Sequence, residues 1–197
     1  MKKIVKLIIL SLLSMNIVIA DENYEKAYKE FSGLTEEQIK SYRDKYYLEG
    51  KEFLYNEKFM ISKKINVSDP ETQKGTLDIK EVSIPDYKSA LISFKKSVEQ
   101  TKNPLAAYSG NYIIQNFTNK QDVENLKLYV LFSEALYSQE KRICQAYLNM
   151  VEIYAQGYLR KKDLLQAKKI YQEALADEKC KSGWQGSVIN SKLMKLK

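Results

Sequence analysis

This 197-residue sequence contains no histidine and few residues of four other types: three prolines, seven glycines, two cysteines and one tryptophan. The absence of histidine removes the most common general base and metal ligand of enzymes. Cys144 and Cys180 are too far apart in the chain to form a closely spaced ligand pair, so neither a metal site nor a bound cofactor is expected. Few prolines and glycines, with abundant Ala, Leu, Lys, Glu and Gln, predict a mostly helical chain.

The first 20 residues, "MKKIVKLIILSLLSMNIVIA", have the layout of a secretory signal peptide. Three lysines precede a short apolar run, and Val18 and Ala20 occupy the −3 and −1 positions of a cleavage site. A membrane anchor is the alternative, but a span needs roughly 20 apolar residues and this run is shorter. The sequence therefore predicts cleavage after Ala20, a periplasmic or secreted protein, and no membrane span in the mature chain.

Removal of 20 of the 197 residues leaves 177, enough for one domain with its own core. Three lysines leave with the signal peptide, so the net charge falls from +7 to about +4. Charged residues of both signs are interspersed along the chain. This modest basicity does not require a nucleic-acid partner, and none is expected.

The sequence repeats itself when it is shifted by about 39 residues. Ala107-Tyr108 then falls on Ala146-Tyr147, Phe132 falls on Tyr171, and "EAL" at 134–136 falls on "EAL" at 173–175. Repeats of this length are typical of helical hairpins that stack and bury each other's apolar faces. We therefore expect an all-α fold, a short right-handed superhelical solenoid of antiparallel helix hairpins.

The repeat assigns helices to most of the chain. First helices are expected at 105–117 and 143–156, second helices at 86–99, 122–137 and 163–176, and a closing helix at 180–196. Upstream, a short helix is expected at 21–31, and Thr35 is predicted to cap a helix that runs towards Ile61. The polar stretch 66–85 is predicted to be a loop with an extended piece at 76–83. The domain boundaries are thus 1–20 for the signal peptide, 21–85 for N-terminal helices and loop, and 86–197 for the repeats.

Residues 146–175 resemble a Sel-one-like repeat, a bacterial relative of the tetratricopeptide repeat. The family pattern is matched at Ala146, Met150, Tyr154, Gly157, Asp163, Ala167, Tyr171 and Ala174. The chain departs from it at Val151 and Leu159, where the family has glycines. The resemblance implies a helical repeat scaffold whose surface binds a protein or peptide, with Gly157 ending one helix and Asp163 beginning the next.

The two cysteines of an exported protein usually pair, and the alternative is two unpaired buried thiols. The resemblance adds that exported relatives commonly link repeats by disulfides, which implies a bridge between Cys144 and Cys180.

Motifs for catalysis are incomplete in this chain. Ser93 and Lys96 fit the S-x-x-K pattern of β-lactam-binding enzymes, and Ser109-Gly110-Asn111 resembles S-x-N. The third motif, K-T-G, is missing, and the full set is needed to activate the serine. The sequence therefore predicts no catalytic residue and no enzyme.

The function that we expect is an exported scaffold that binds a protein, a peptide or a cell-envelope component without catalysis. Small-molecule ligands are not expected. The alternatives are a periplasmic inhibitor or immunity-type protein with one tight partner, and a cell-envelope hydrolase. The sequence identifies no partner-binding residue.

Overall fold

The chain folds into consecutive helices that pack against one another, and a two-stranded sheet is inserted near its beginning. The computed structural model describes residues 25–181 except 27, 31, 69–76 and 140–141. Its helices are α1 (Glu36–Ser41), α2 (Lys45–Tyr55), α3 (Tyr87–Thr101), α4 (Pro104–Phe117), α5 (Val123–Tyr137), α6 (Cys144–Gln156), α7 (Leu164–Ala176) and α8 (Glu178–Lys181). The described residues between 25 and 32 are helical as well. The predicted signal peptide and most of the closing helix at 180–196 lie outside the described residues.

Helices α3 to α7 confirm the predicted mostly helical chain, with ends within two residues of those expected. Aspartates start three of them, as predicted for Asp163, because each side chain accepts a hydrogen bond from an amide in the first turn. Asp86, Asp122 and Asp163 accept from the amides of Ser89, Glu124 and Gln166, at 3.1, 2.9 and 2.9 Å. Helix α4 begins with Pro104 after an Asn103 cap, where a missing N–H has no cost.

The helices pack as neighbours along the chain. Helix α2 packs on α3, α4 on α5 and α6 on α7, and contacts of α3 with α4 and of α5 with α6 join these pairs. Since each helix is apolar on one side, this packing buries faces that no single helix could hide. The buried core runs continuously through all three pairs and includes Phe94, Phe132 and Tyr171.

The single helix predicted from Thr35 towards Ile61 is wrong, because the chain breaks after Ser41 and restarts at Lys45. Thr35 does cap α1, and it forms a capping box with Gln38. Asp44 caps α2, and its Oδ2 also accepts hydrogen bonds from Ser97 and Asn103, at 2.6 and 2.9 Å. These long-range contacts stabilise the break.

A two-stranded antiparallel sheet occupies much of the region in which a loop was predicted. Strand β1 (Ile61–Ser68) pairs with β2 (Leu77–Ile84), and Ile61 lies opposite Ile84. Strand β2 corresponds to the extended piece expected at 76–83, whereas β1 was not predicted. The sheet separates α2 from α3, the two helices of the first pair.

Two helix pairs meet through the same contact between a glycine and an aromatic ring. Gly50 of α2 lies against Phe94 of α3, and Gly110 of α4 lies against Phe132 of α5. A Cβ atom at Gly50 or Gly110 would approach the ring to 2.4 or 2.3 Å, far inside van der Waals contact. The helices therefore come together more closely at these points than a side chain on the first helix would permit.

Cys144 at the start of α6 and Cys180 in α8 form a disulfide with an S–S distance of 2.03 Å. Both cysteines are buried. The bridge ties the last described helix to the third pair, as the repeat resemblance implied. No helix in the described ranges has both the length and the apolar character needed to cross a membrane.

A candidate docking groove between α3 and α5

A groove with a volume of about 660 Å³ opens between α3 and α5. Three segments form it: the N-terminal half of α3, the turn that follows α4, and the first turns of α5. Its lining consists of Tyr87, Lys88, Leu91, Ile92, Lys95, Thr118, Asp122, Glu124, Asn125 and Leu128. We refer to this feature as the α3/α5 groove.

Apolar side chains from both helices form part of the groove lining. Leu91 is 4% exposed and belongs to the core, whereas Ile92, the next residue, is 47% exposed. Leu128 faces them from α5 and is partly buried. An isoleucine left half in water beside a concave surface costs free energy that a bound apolar group would recover.

An aromatic cluster adjoins the groove at Tyr87. Tyr87, the first residue of α3, stacks on Phe117, the last residue of α4, with 4.7 Å between ring centroids and 8° between planes. Tyr112 lies 5.8 Å from Phe117. Phe117 remains 49% exposed despite these contacts. Burial, and more weakly the neighbouring Tyr112, raises the pKa of Tyr87, so its phenol is uncharged at neutral pH.

The two long edges of the groove carry opposite charges. Lys88 and Lys95 line the α3 edge, and Asp122 and Glu124 line the α5 edge. Lys95 lies 3.7 Å from Glu99 and Glu124 lies 2.7 Å from Lys127, both within exposed pairs on their own helices. Exposed pairs of this kind contribute little stability, so their members remain accessible to charges on a ligand.

The turn between α4 and α5 is held in place by α6, which gives the groove a fixed rim. Lys120 donates to Glu152 at 2.6 Å and lies 3.8 Å from the centre of the Tyr129 ring. The Tyr129 hydroxyl donates to the same carboxylate at 2.9 Å, and the Tyr158 hydroxyl does so at 3.4 Å. Burial raises the pKa of Tyr129, and Glu152 raises it further.

Most of the repeat-defining residues singled out in the sequence lie in the third helix pair and not in the groove. Ala146, Ala167, Tyr171 and Ala174 are buried there, and Tyr154 is half-buried. Burial raises the pKa of Tyr171 to about 12, with a smaller contribution from the charge of Glu152.

Gly157 adopts a left-handed conformation, with φ of 75°, directly after the last residue of α6. Its amide donates to the carbonyl of Ile153 at 3.0 Å, and a Cβ atom here would lie 3.0 Å from backbone atoms of Arg160 and Lys162. Asp163 caps α7, and its own amide donates to the carbonyl of Tyr154 at 2.9 Å. Gly157 and Asp163 therefore form the joint between two packed helices.

The serine motifs considered in the sequence do not converge. Ser93 is 2% exposed and faces the core from α3, while Lys96 lies on the exposed side of the same helix. Ser109 and Asn111 are buried in α4, where Asn111 exchanges hydrogen bonds with Ser133 at 3.3 and 3.4 Å. These residues contribute to packing in the described structure.

The sequence analysis did not predict the groove residues, although the position of Ile92 is one indication of them. In "DYKSALISFKKSV", the apolar face of the helix runs through Ala90, Leu91, Phe94 and Val98. Ile92 lies off this face, among lysines and serines. A large apolar residue on the polar face of a helix can indicate a contact surface. The groove itself forms only where α5 packs beside this face of α3.

Comparison of the chain with protein-family models, with curated proteins and with solved structures finds no match.

Proposed function

We propose that this chain is an exported helical-repeat scaffold, without catalytic activity, that holds a protein partner by docking a helix of that partner in the α3/α5 groove. The observation that carries the proposal is a concave surface that combines apolar side chains, among them a half-exposed Ile92, with edges of opposite charge. The half-exposed Phe117 adjoins it through its stack on Tyr87. Apolar grooves between helices are common binding sites for amphipathic helices.

Repeated packing supports the scaffold part of the proposal. The glycine–aromatic contact of the first pair recurs in the second, and the 39-residue shift carries Gly110 and Phe132 onto Asn149 and Tyr171 of the third. We infer that the three pairs are Sel-one-like or tetratricopeptide-like repeats stacked as a short right-handed solenoid. Asn149 in place of the glycine is consistent with a third repeat that has diverged.

The Cys144–Cys180 pair supports the exported part of the proposal, because structural disulfides persist in oxidising compartments. The signal-peptide layout of residues 1–20 points to the same compartment. Together they favour the periplasm or the cell exterior as the place where the partner is met.

Charge complementarity defines the partner helix. Its apolar stripe would cover Leu91, Ile92 and Leu128, an acidic flank would face Lys88 and Lys95, and a basic flank would face the carboxylates of α5. Turning a helix end for end exchanges its flanks, so the charges set the direction in which the partner docks and not only its affinity.

A designed peptide tests this proposal directly. We expect a helical 16-residue peptide with a leucine stripe, one glutamate flank and one lysine flank to bind with a Kd in the micromolar range, about −8 kcal/mol. Ile92→Asp should weaken binding at least tenfold, since it places a charge in the apolar contact. Leu165→Asp is the matched control, because Leu165 is 81% exposed on α7, outside the groove. Fluorescence anisotropy of a labelled peptide measures both.

Two results would contradict the proposal. One is equal affinity of the Ile92→Asp and Leu165→Asp chains for the peptide. The other is unchanged binding of a peptide whose leucine stripe is replaced by serine, since this peptide retains the charges but lacks the apolar contact.

A further inference from the structure

We propose that one end of the third helix pair is a docking tip that binds the surface of an anionic lipid bilayer. The docking tip consists of the turn between α6 and α7 and the first two turns of α7, residues 157–169. Three leucines of the tip enter the interfacial layer of the bilayer, and four lysines contact the lipid phosphates. None of these residues lines the α3/α5 groove, so the proposal does not depend on a partner there.

Exposed apolar side chains are concentrated at the docking tip. Eight large hydrophobic residues in the described part of the chain are exposed, and three of them lie between positions 159 and 165. Leu159, Leu164 and Leu165 are 52%, 40% and 81% exposed. A single exposed leucine is ordinary, but three within seven residues leave a group of apolar side chains in water. Such a group indicates a binding surface.

The backbone of Leu159 indicates that its exposure serves a function. Its φ is 54°, in the left-handed region that residues with a Cβ atom avoid. Gly157, two residues earlier, adopts the same region without strain, and a glycine at position 159 would do so as well. Leu159 does not recover the cost by burial, because it is more than half exposed. Strained residues of this kind are concentrated at functional sites.

Four lysines flank the leucines and are available to bind an anion. Lys161, Lys162, Lys168 and Lys169 are exposed. None of the four forms an ion pair with a residue that the structure describes. Clusters of lysines beside exposed apolar side chains are typical of proteins that bind anionic lipids from one side of the bilayer.

The acidic residues near the docking tip are engaged by other groups. Asp163 caps α7 and accepts a hydrogen bond from an amide of its first turn at 2.9 Å. Glu134 of α5 pairs with Arg160, and Glu173, the one acidic residue in α7, accepts a hydrogen bond from Tyr137. The exposed face of α7 therefore carries positive charge, which is complementary to an anionic surface.

Helical spacing places two of the lysines one turn behind the leucines. Lys168 and Lys169 follow Leu164 and Leu165 by four residues, so each lysine shares a side of α7 with one leucine. Four residues of a helix rise by about 6 Å, and apolar side chains of interfacial helices enter a bilayer by about 5–10 Å. With the start of α7 towards the bilayer and the leucines at that depth, the ammonium groups reach the lipid phosphates.

The exposure of the leucines favours a bilayer over other anionic ligands. A leucine that is 81% exposed protrudes from the surface, and a bilayer accepts it without a preformed pocket. An acidic protein would need a pocket shaped to this side chain, and free phosphate would leave all three leucines in water.

Flotation with lipid vesicles tests the proposal. The sample is the exported chain after removal of residues 1–20, because their apolar run would bind vesicles by itself. We expect it to bind vesicles of equal parts phosphatidylcholine and phosphatidylglycerol, and to bind phosphatidylcholine alone at least tenfold more weakly. Leu164→Ser, Leu165→Ser should weaken binding to the mixed vesicles at least tenfold. Ile92→Asp should bind them like the native chain, which separates this test from that of the α3/α5 groove.

Two pairs of lysines provide a matched comparison. Each lysine close to an anionic membrane surface strengthens binding about fivefold, so Lys168→Gln, Lys169→Gln should weaken binding to the mixed vesicles about 25-fold. Lys95→Gln, Lys96→Gln removes the same charge from two adjacent exposed lysines of α3. This control should bind the mixed vesicles within twofold of the native chain.

Leu159→Gly separates vesicle binding from folding. We expect the free energy of unfolding in urea to be unchanged or higher, because glycine relieves the left-handed strain. Binding to the mixed vesicles should nevertheless weaken, because one inserted leucine is lost. A less stable chain with unchanged vesicle binding would show that Leu159 serves the fold, and it would overturn the proposal.

Other results would overturn the proposal as well. One is a native chain that does not bind the mixed vesicles. A second is equal binding of the native and the Leu164→Ser, Leu165→Ser chains, and a third is an equal loss of binding in the two lysine variants. Binding to polyglutamate but not to vesicles would assign the docking tip to an acidic protein instead.

Discussion

The close packing of α4 against α5 depends on the absence of a side chain at Gly110. We expect Gly110→Ala to lower the free energy of unfolding by about 1–3 kcal/mol, the usual cost of overfilling a packed core. The new Cβ atom would meet Phe132 at 2.3 Å, so either the ring or the helix must move. Urea denaturation measures the change.

A second substitution separates this clash from a general loss of packing. In a Phe132→Leu background the ring is gone, so Gly110→Ala should cost much less than it does in the native chain. An equal cost in both backgrounds would show that the glycine–aromatic contact does not set the distance between α4 and α5.

Asp44 provides a pH-dependent contribution to stability at the break between α1 and α2. Burial alone would raise its pKa, but hydrogen bonds from Ser97, Asn103, Thr101 and the Tyr47 amide together lower it. A lowered pKa in the folded state means that the ionised form stabilises the fold. This contribution is complete above the ordinary pKa of 3.8 and disappears as the pH falls through the lowered value.

Comparison with Asp44→Asn isolates this contribution. We expect the variant to be about 1–2 kcal/mol less stable at neutral pH, as for other lost caps and charged hydrogen bonds. The difference between the two chains should remain constant above about pH 5 and shrink at lower pH, because wild-type Asp44 then becomes neutral as well. Urea denaturation across this range measures it, and a difference that does not change with pH would contradict the assignment.

At the scale of elements, local sequence predicted most helices because their signals are local. Caps, apolar periodicity and the Gly157 joint all lie within a few residues of the ends that they set. The break before α2 is stabilised by hydrogen bonds from Ser97 and Asn103 to Asp44, and both residues lie more than fifty positions away in the sequence. The residues around Asp44 therefore do not predict it. Strand β1 was missed because Lys63-Lys64 interrupts the alternation that strands usually show.

Helix α8 is attached to the third helix pair by the Cys144–Cys180 disulfide, so loss of this bond should lower the stability of the fold. We expect the Cys144→Ser, Cys180→Ser chain to be about 3–4 kcal/mol less stable than the oxidised native chain, since the bridge closes a long loop. Thermal unfolding of the native chain with and without reductant should show the same loss. Identical unfolding under both conditions would mean that the bridge does not form in solution.

At the scale of the molecule, the groove could not be predicted because its walls come from three separate elements. Ile92 lies off the apolar face of its helix in the sequence, but it shares a space with Leu128 only because α3 packs against α5. The repeat placed these helices next to one another, but which of their exposed residues face a common space depends on how the helices pack. The proposed docking surface is therefore one that periodicity alone does not reveal.

The most direct test of the central claim is site-specific photocrosslinking in intact cells, with the photoreactive residue at position 92 and, as control, at position 165. We expect one discrete adduct at position 92, mapped by mass spectrometry to a partner segment with an apolar stripe between acidic and basic flanks. We also expect this adduct to be lost when Leu128→Asp is added, and no such adduct at position 165. No adduct at position 92, or the same adducts at both positions, would contradict a partner held in the α3/α5 groove.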